Sequence, residues 1–277
     1  NLGGVSTVVV INQGTISADL AGSGITVNGT NWINEGTIQA KSGGTFSLIS
    51  TWTNTGAISA GAGGSAGSGN LSGTWSNSGA LGAASGGTLN LGGTWSTSAG
   101  LTAPSSTVNL SGVLNNAGAS TTLAGGNWFL QGGSIGGGTL TETSGARLYA
   151  TGSGGTLDGV TLNGDLDLTN GGNQHVTVLN GLTLNGTASI GNASSNANFY
   201  YGYIDFVGSQ SLLGTGTVVF GNDNTRGSFN SLRVSQTGTT LTIGPNITVR
   251  GATGGIGYNA NLGGVSTVVV INQGTIS

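Results

Sequence analysis

One nine-residue pattern keeps returning through the first half of the chain. Val10-Ile11-Asn12-Gln13-Gly14-Thr15-Ile16-Ser17-Ala18 comes back as Trp32-Ile33-Asn34-Glu35-Gly36-Thr37-Ile38-Gln39-Ala40. It comes back again as Trp52-Thr53-Asn54-Thr55-Gly56-Ala57-Ile58-Ser59-Ala60, and then as Trp75-Ser76-Asn77-Ser78-Gly79-Ala80-Leu81-Gly82-Ala83. A degraded copy keeps Trp95, Thr97, Leu101 and Ala103, and a trace remains at Leu114-Asn115-Asn116. Anchored on the Asn position, the copies fall at residues 12, 34, 54, 77, 97 and 116, steps of 22, 20, 23, 20 and 19. Within each copy apolar and polar residues alternate, the period of a half-buried strand rather than of a helix. Strands this short cannot bury an apolar face alone, so they must stack coil on coil into a parallel β-solenoid.

A second, longer repeat encloses the first. Residues 1–17, NLGGVSTVVVINQGTIS, recur without change as residues 261–277, an offset of 261 − 1 = 260. The expected fold is all-β: a right-handed parallel β-helix, since parallel crossovers are right-handed, with about 13 rungs per 260-residue repeat at ~20 residues per rung. Regular rungs are expected over 1–125 and wider, looser rungs of the same solenoid over 126–260. Residues 261–277 begin the next tandem repeat. With 58 Gly and only 5% charged residues the composition could belong to a disordered linker. The regular return of Trp, Ile, Leu and Val argues instead for order.

In the solenoid, equivalent positions stack into ladders. Asn12, Asn34, Asn54, Asn77 and Asn116 are expected to bond along the axis at a turn, each followed by a Gly taken to need positive φ. Trp32, Trp52, Trp75 and Trp95 are expected to form an inward column beside Ile38, Ile58, Leu81 and Leu101. The rung Trp52–Ala60 and its neighbours resemble the rungs of bacterial filamentous-haemagglutinin and autotransporter-passenger β-helices. The whole chain is also similar to very large tandem-repeat β-helix proteins. That resemblance implies a secreted or cell-surface protein and brings no catalytic residues with it.

Other chemistry is thinly represented. Five basic residues and a net charge of −3 argue against nucleic acid. The absence of Cys removes disulfides and thiolate metal sites, and no apolar run reaches the ~20 residues of a membrane-spanning helix. Gly-x-Ser-x-Gly occurs around Ser65 and Ser134, an accident to be expected of a chain this rich in Gly and Ser, because the catalytic version needs a strand-to-helix elbow. Asp165 and Asp167, with Asp158 near in sequence, are the weak metal candidates; Lys41, Arg147, Arg226, Arg233 and Arg250 form no recognisable set with the pair. His175 reads as an exposed turn or strand residue. Phe199, Tyr201 and Tyr203 share one face of an aromatic stretch and form a candidate contact patch. Sequons at Asn28, Asn70, Asn109, Asn185, Asn192 and Asn246 would admit glycans.

The expectation is therefore a non-enzymatic, cofactor-free repeat unit of a long extracellular filament, acting as a mechanical scaffold or adhesive fibre. Its partners would be further tandem copies, with lateral bundling and glycans as additions. The alternatives are a carbohydrate-binding adhesin stalk and, behind it, a polysaccharide-acting β-helix enzyme.

Overall fold

Thr37-Ile38-Gln39-Ala40 shows how alternation becomes structure. The four residues form a strand in which Ile38 and Ala40 are fully buried while Thr37 and Gln39 lie on the outer face. The same inward–outward pattern repeats in Ala57–Ala60 and Thr88–Leu91. A computed structural model describes residues 9–192, 200–222, 229–264 and 266–277. Phe199 and Arg226, singled out above, lie outside the described residues, as do residues 1–8 and 265.

The chain is a parallel β-solenoid of about 11 coils, almost without helix. Its clearest coils carry three short strands each, such as Ser68–Leu71, Thr74–Asn77 and Ala80–Ala83. Each strand pairs in parallel with its counterpart one coil on: Leu91 with Leu71, Trp95 with Trp75, Leu101 with Leu81. The chain falls into two compact units, Asn1–Phe129 with Glu142–Ala146, and Leu130–Thr141 with Arg147–Ser277.

In the first unit the coils advance by the steps that the Asn positions mark. The second unit is more varied. Thr187 lies opposite Thr217 and Thr217 opposite Thr248, so these coils advance by 217 − 187 = 30 and 248 − 217 = 31 residues. Such wide coils bring the number down to about 11 from the expected 13. Inside, Phe46, Leu48, Ile58, Leu162, Leu184, Ile204 and Phe206 are almost wholly excluded from solvent. Each such side chain contributes roughly 1.5–3 kcal/mol of burial.

Gly118, after Asn116, has the expected positive φ of 71°, but the glycines after the other four ladder Asn residues have a different reason. Gly14, Gly36, Gly56 and Gly79 are not among the positive-φ residues. A Cβ on Gly36, Gly56 or Gly79 would instead lie 2.1 Å from the carbonyl oxygen of the glycine one coil earlier. These glycines are demanded by the close approach of successive turns, not by backbone handedness. Gly14 has nothing among the described residues within 4 Å of the added atom. Gly56→Ala is therefore expected to cost about 1–3 kcal/mol, the range for forced overpacking, and Gly14→Ala next to nothing. Thermal melts of the two variants check this; equal midpoints would show that the turns can separate freely.

Candidate functional site

Two inward ladders organise the first unit. Asn12 Nδ2 donates to Asn34 Oδ1, Asn34 to Asn54 and Asn54 to Asn77, each at 2.7 Å. The second amide hydrogen is also used: Asn34 Nδ2 reaches the Ala57 carbonyl and Asn54 Nδ2 the Ala80 carbonyl, both at 3.2 Å. Asn77 passes the chain to Thr97 Oγ1 at 3.0 Å, and Thr97 donates to the Ala99 carbonyl at 2.8 Å. Asn116 is buried as well and accepts from Thr121 Oγ1 of its own coil at 2.8 Å.

Beside the ladder, Trp32, Trp52, Trp75 and Trp95 point inward with ring centroids 5.0, 4.8 and 4.7 Å apart. The first three donate Nε1–H to a carbonyl of the next coil, at Ile49, Ser72 and Gly92. Trp95 Nε1 is buried without a partner among the described residues; the residue beyond it is Leu114, which continues the column without a ring.

On the outer face of the solenoid lies a ladder that the sequence reading missed. Asn90 Nδ2 donates to Asn70 Oδ1, and Asn109 Nδ2 to Asn90 Oδ1, both at 2.7 Å. The signal was present, since Asn70-Leu71, Asn90-Leu91 and Asn109-Leu110 recur at steps of 20 and 19.

Of the acidic candidates, Asp167 is buried and Asp165 is partly exposed. Arg147 from the preceding coil contacts Asp167 Oδ2 at 3.1 Å and Asp165 Oδ2 at 3.4 Å. This corrects the expectation that no basic residue accompanies them: Leu148 pairs with Leu166, so the outward residues on either side of that pair meet. Asp167 is buried and its Oδ1 accepts from Thr169 N and Oγ1. Burial opposes the charge on Arg147, but the Asp167 bond and the surrounding negative charge outweigh it and raise its pKa further. Asp158 stands apart, bonded to Asn180 Nδ2 at 2.6 Å. Among the described residues no group of three or more His, Cys, Asp or Glu could hold a metal ion.

The aromatic stretch enters a larger outward set on the wide coils. The His175 ring, from the strand Gln174–Leu184, stacks on Tyr203 with centroids 5.0 Å apart and planes 5° from parallel. The Arg233 guanidinium, from the following coil, lies over the Tyr203 ring at 5.8 Å. Its Nη1 is 3.8 Å from Asp205 Oδ2. Tyr201 packs at a tilt against Phe229 and its hydroxyl donates to Asn173 Oδ1 at 3.4 Å. Asp205 Oδ1 and Arg233 Nε are buried without hydrogen-bond partners among the described residues. Burial pushes the Asp205 pKa up, only partly offset by Arg233, and burial raises Tyr203 too.

The repeated segment shows its two sides separately. In the first copy the carbonyls of Val10, Asn12 and Gly14 accept from the N–H groups of Ile33, Glu35 and Thr37 in the following coil. In the second copy the N–H groups of Val269, Gln273 and Thr275 donate to Thr239, Ile243 and Ile247 in the preceding coil. Since Val269, Gln273 and Thr275 correspond to Val9, Gln13 and Thr15, the two sets of groups do not overlap. A Cβ on Gly274 would lie 2.3 Å from the Ile247 carbonyl, whereas the corresponding Gly14 is open.

No family model, curated protein or solved structure matches the chain. The resemblance to haemagglutinin-type β-helices holds at the level of the parallel β-solenoid. Among the described residues no helix is long and apolar enough to cross a membrane.

Two outcomes follow from this geometry. Asn54→Ala removes one acceptor and one donor from the buried ladder, takes from Asn77 Oδ1 its Asn54 donor and leaves Asn34 Nδ2 with backbone carbonyls alone. At about 1–3 kcal/mol for each buried group left unpaired, the loss is expected to exceed that of any exposed Asn; a thermal midpoint equal to that of Asn28→Ala would contradict it. The second concerns acid. A carboxyl whose pKa is raised on folding binds its proton more tightly in the folded state, so stability gains as pH falls through the raised value. Asp205 therefore opposes acid unfolding, and melts followed by circular dichroism from neutral to mildly acidic pH should hold or rise in midpoint. A cooperative loss of structure near pH 4 would show that paired carboxylates organise the fold.

Proposed function

We propose that this chain is the repeat unit of a long extracellular β-solenoid filament whose task is mechanical. One observation carries the reading: the described parts of the two copies, 9–17 and 269–277, each pair as a rung, through non-overlapping sets of backbone groups. A single copy flanked by both neighbours would satisfy both sets at once, so coils follow coils across a repeat boundary with no special connector. Extracellular placement rests on the resemblance to haemagglutinin-type rungs. The partners in this reading are further copies of the same repeat, and no cofactor is needed.

The side-chain arrangement weighs against the alternatives. An adhesin that stacks sugars needs a ring face presented to solvent, whereas Tyr203 has His175 and Arg233 set against its ring. The charge of Asp165 and Asp167 is met by Arg147.

A chain of two repeats, residues 1–260 followed by 1–277, tests the proposal. Nearest-neighbour coupling in a solenoid predicts one cooperative transition at a higher midpoint than for the single repeat. Two transitions, or an unchanged midpoint, would overturn it.

A further inference from the structure

One corner of the second unit widens from coil to coil. On one side of it Leu157, Val178 and Phe206 lie buried in register, and on the other Val160, Leu182 and Leu212. The step between the two rows therefore grows from 160 − 157 = 3 to 182 − 178 = 4 and 212 − 206 = 6 residues. Each corner uses the left-handed region, at Gly159, at Asn180 with Gly181, and at Gly208, where Gly costs nothing and Asn is among the few side chains tolerated. The buried rows are fixed by packing, so the added residues have room only outside. Between successive corners they leave a cleft of about 450 Å³, within the roughly 300–1,000 Å³ of ligand sites.

Its polar lining is Asn180, Thr183, Ser209, Gln210 and Ser211, with no charged side chain. Gln210 braces the wall: its Oε1 accepts from Gly181 N–H and its Nε2 donates to the Val207 carbonyl, both at 2.6 Å. Asn180 Nδ2 donates to Asp158 Oδ1 at 2.6 Å, which orients the amide and leaves its Oδ1 to accept. Ser209 Oγ accepts from Thr240 N–H at 3.2 Å and keeps its own hydrogen to donate. Leu213, 44% exposed, supplies an apolar edge. We propose that this cleft binds a neutral oligosaccharide, held by hydrogen bonds from Asn180, Thr183, Ser209 and Ser211 rather than by ring stacking.

The chemistry of the lining selects that class. An anionic ligand calls for Arg or Lys and a bound Ca²⁺ for six to eight oxygens, carboxylates among them; the cleft offers neither set. A peptide added as a strand needs an open sheet edge, whereas Thr156–Asn163, Gln174–Leu184 and Gln210–Leu213 are each paired on both sides. A sugar hydroxyl donates and accepts at one atom, as the Ser and Thr hydroxyls facing it do. Binding of this kind goes beyond the filament reading and does not rest on it. In a filament of such repeats each copy would carry one cleft, and weak sites would add through multivalency.

The test is retention of the 277-residue chain on immobilised cellohexaose, maltohexaose, laminarihexaose and chitohexaose, with a heparin hexasaccharide and hexagalacturonate as charged counterparts. Asn180→Gly removes the amide and suits the left-handed backbone; Thr183→Val removes a hydroxyl at nearly constant shape. Thr74→Val makes the same change on an outer strand of the first unit, away from the cleft. The expected result is retention on at least one neutral probe in preference to the charged ones. Asn180→Gly and Thr183→Val should each weaken it about tenfold with the circular dichroism spectrum unchanged, and Thr74→Val should leave it as it was. Retention on none of the neutral probes, preference for the charged ones, or equal binding by both cleft variants would overturn the proposal. Melting of the two-repeat chain is indifferent to all of these results, so the filament reading and the cleft can fail separately.

Discussion

Parallel strands joined by backbone hydrogen bonds sit about 4.8 Å apart, and that distance decides which side chains can be repeated coil after coil. Indole rings stacked at 4.7–5.0 Å match it almost without tilt along Trp52, Trp75 and Trp95. An Asn amide spans it by reaching from one coil to the next with a 2.7 Å bond. The same spacing forbids a Cβ where turns run closest, at Gly36, Gly56 and Gly79. Ring, amide and bare backbone are three answers to one fixed interval.

Charge is a poor answer to it. Two like charges held one coil apart repel by about 1 kcal/mol even in water, and by several times more where solvent is excluded. A charged residue therefore cannot be copied into every coil as Asn can, and only 5% of the chain is charged. Several of the charges that do occur meet an opposite or neutral polar group across the coil gap. Asp205 pairs in register with Arg233, Arg147 reaches Asp165 and Asp167, and Gln13 donates to Glu35. Isolated surface pairs of this kind add little to stability; their arrangement reflects avoidance of repulsion.

Legibility followed regularity. Where coils advance by nearly constant steps, the strands and the inward direction of Ile38 could be read directly from alternation. The glycine column could not, because a steric requirement between coils leaves the same residue in the sequence as a requirement for positive φ. The link from Arg147 to Asp165 and Asp167 was hidden because the coil that carries Arg147 has Thr141 where the next two coils have Asn163 and Asn185. His175, Tyr203 and Arg233 were harder still. They come together only because coils there advance by 203 − 175 = 28 and 231 − 203 = 28 residues, a spacing that the ~20-residue rungs give no reason to test. The Asn70–Asn90–Asn109 ladder was different: its steps of 20 and 19 are visible in the half of each rung that carries no Trp.

The inward ladder also explains how one repeat can follow another without adjustment. A row of amides needs a beginning and an end that leave no buried group unpaired. It begins at the repeated segment. There Asn272 lies opposite Ile243, which can offer its side chain nothing, and the amide turns to its own turn, accepting from Gly274 N and donating to Gly274 O. In the other copy Asn12, at the same position, hands its Nδ2 to Asn34. The row ends at Thr97, whose hydroxyl accepts from Asn77 and donates to the Ala99 carbonyl of its own turn. A hydroxyl suits the last place because it can take a bond from the coil before and return one to its own backbone. The polar network is thus closed within the repeat, and what crosses the boundary is backbone pairing, which is indifferent to side-chain identity.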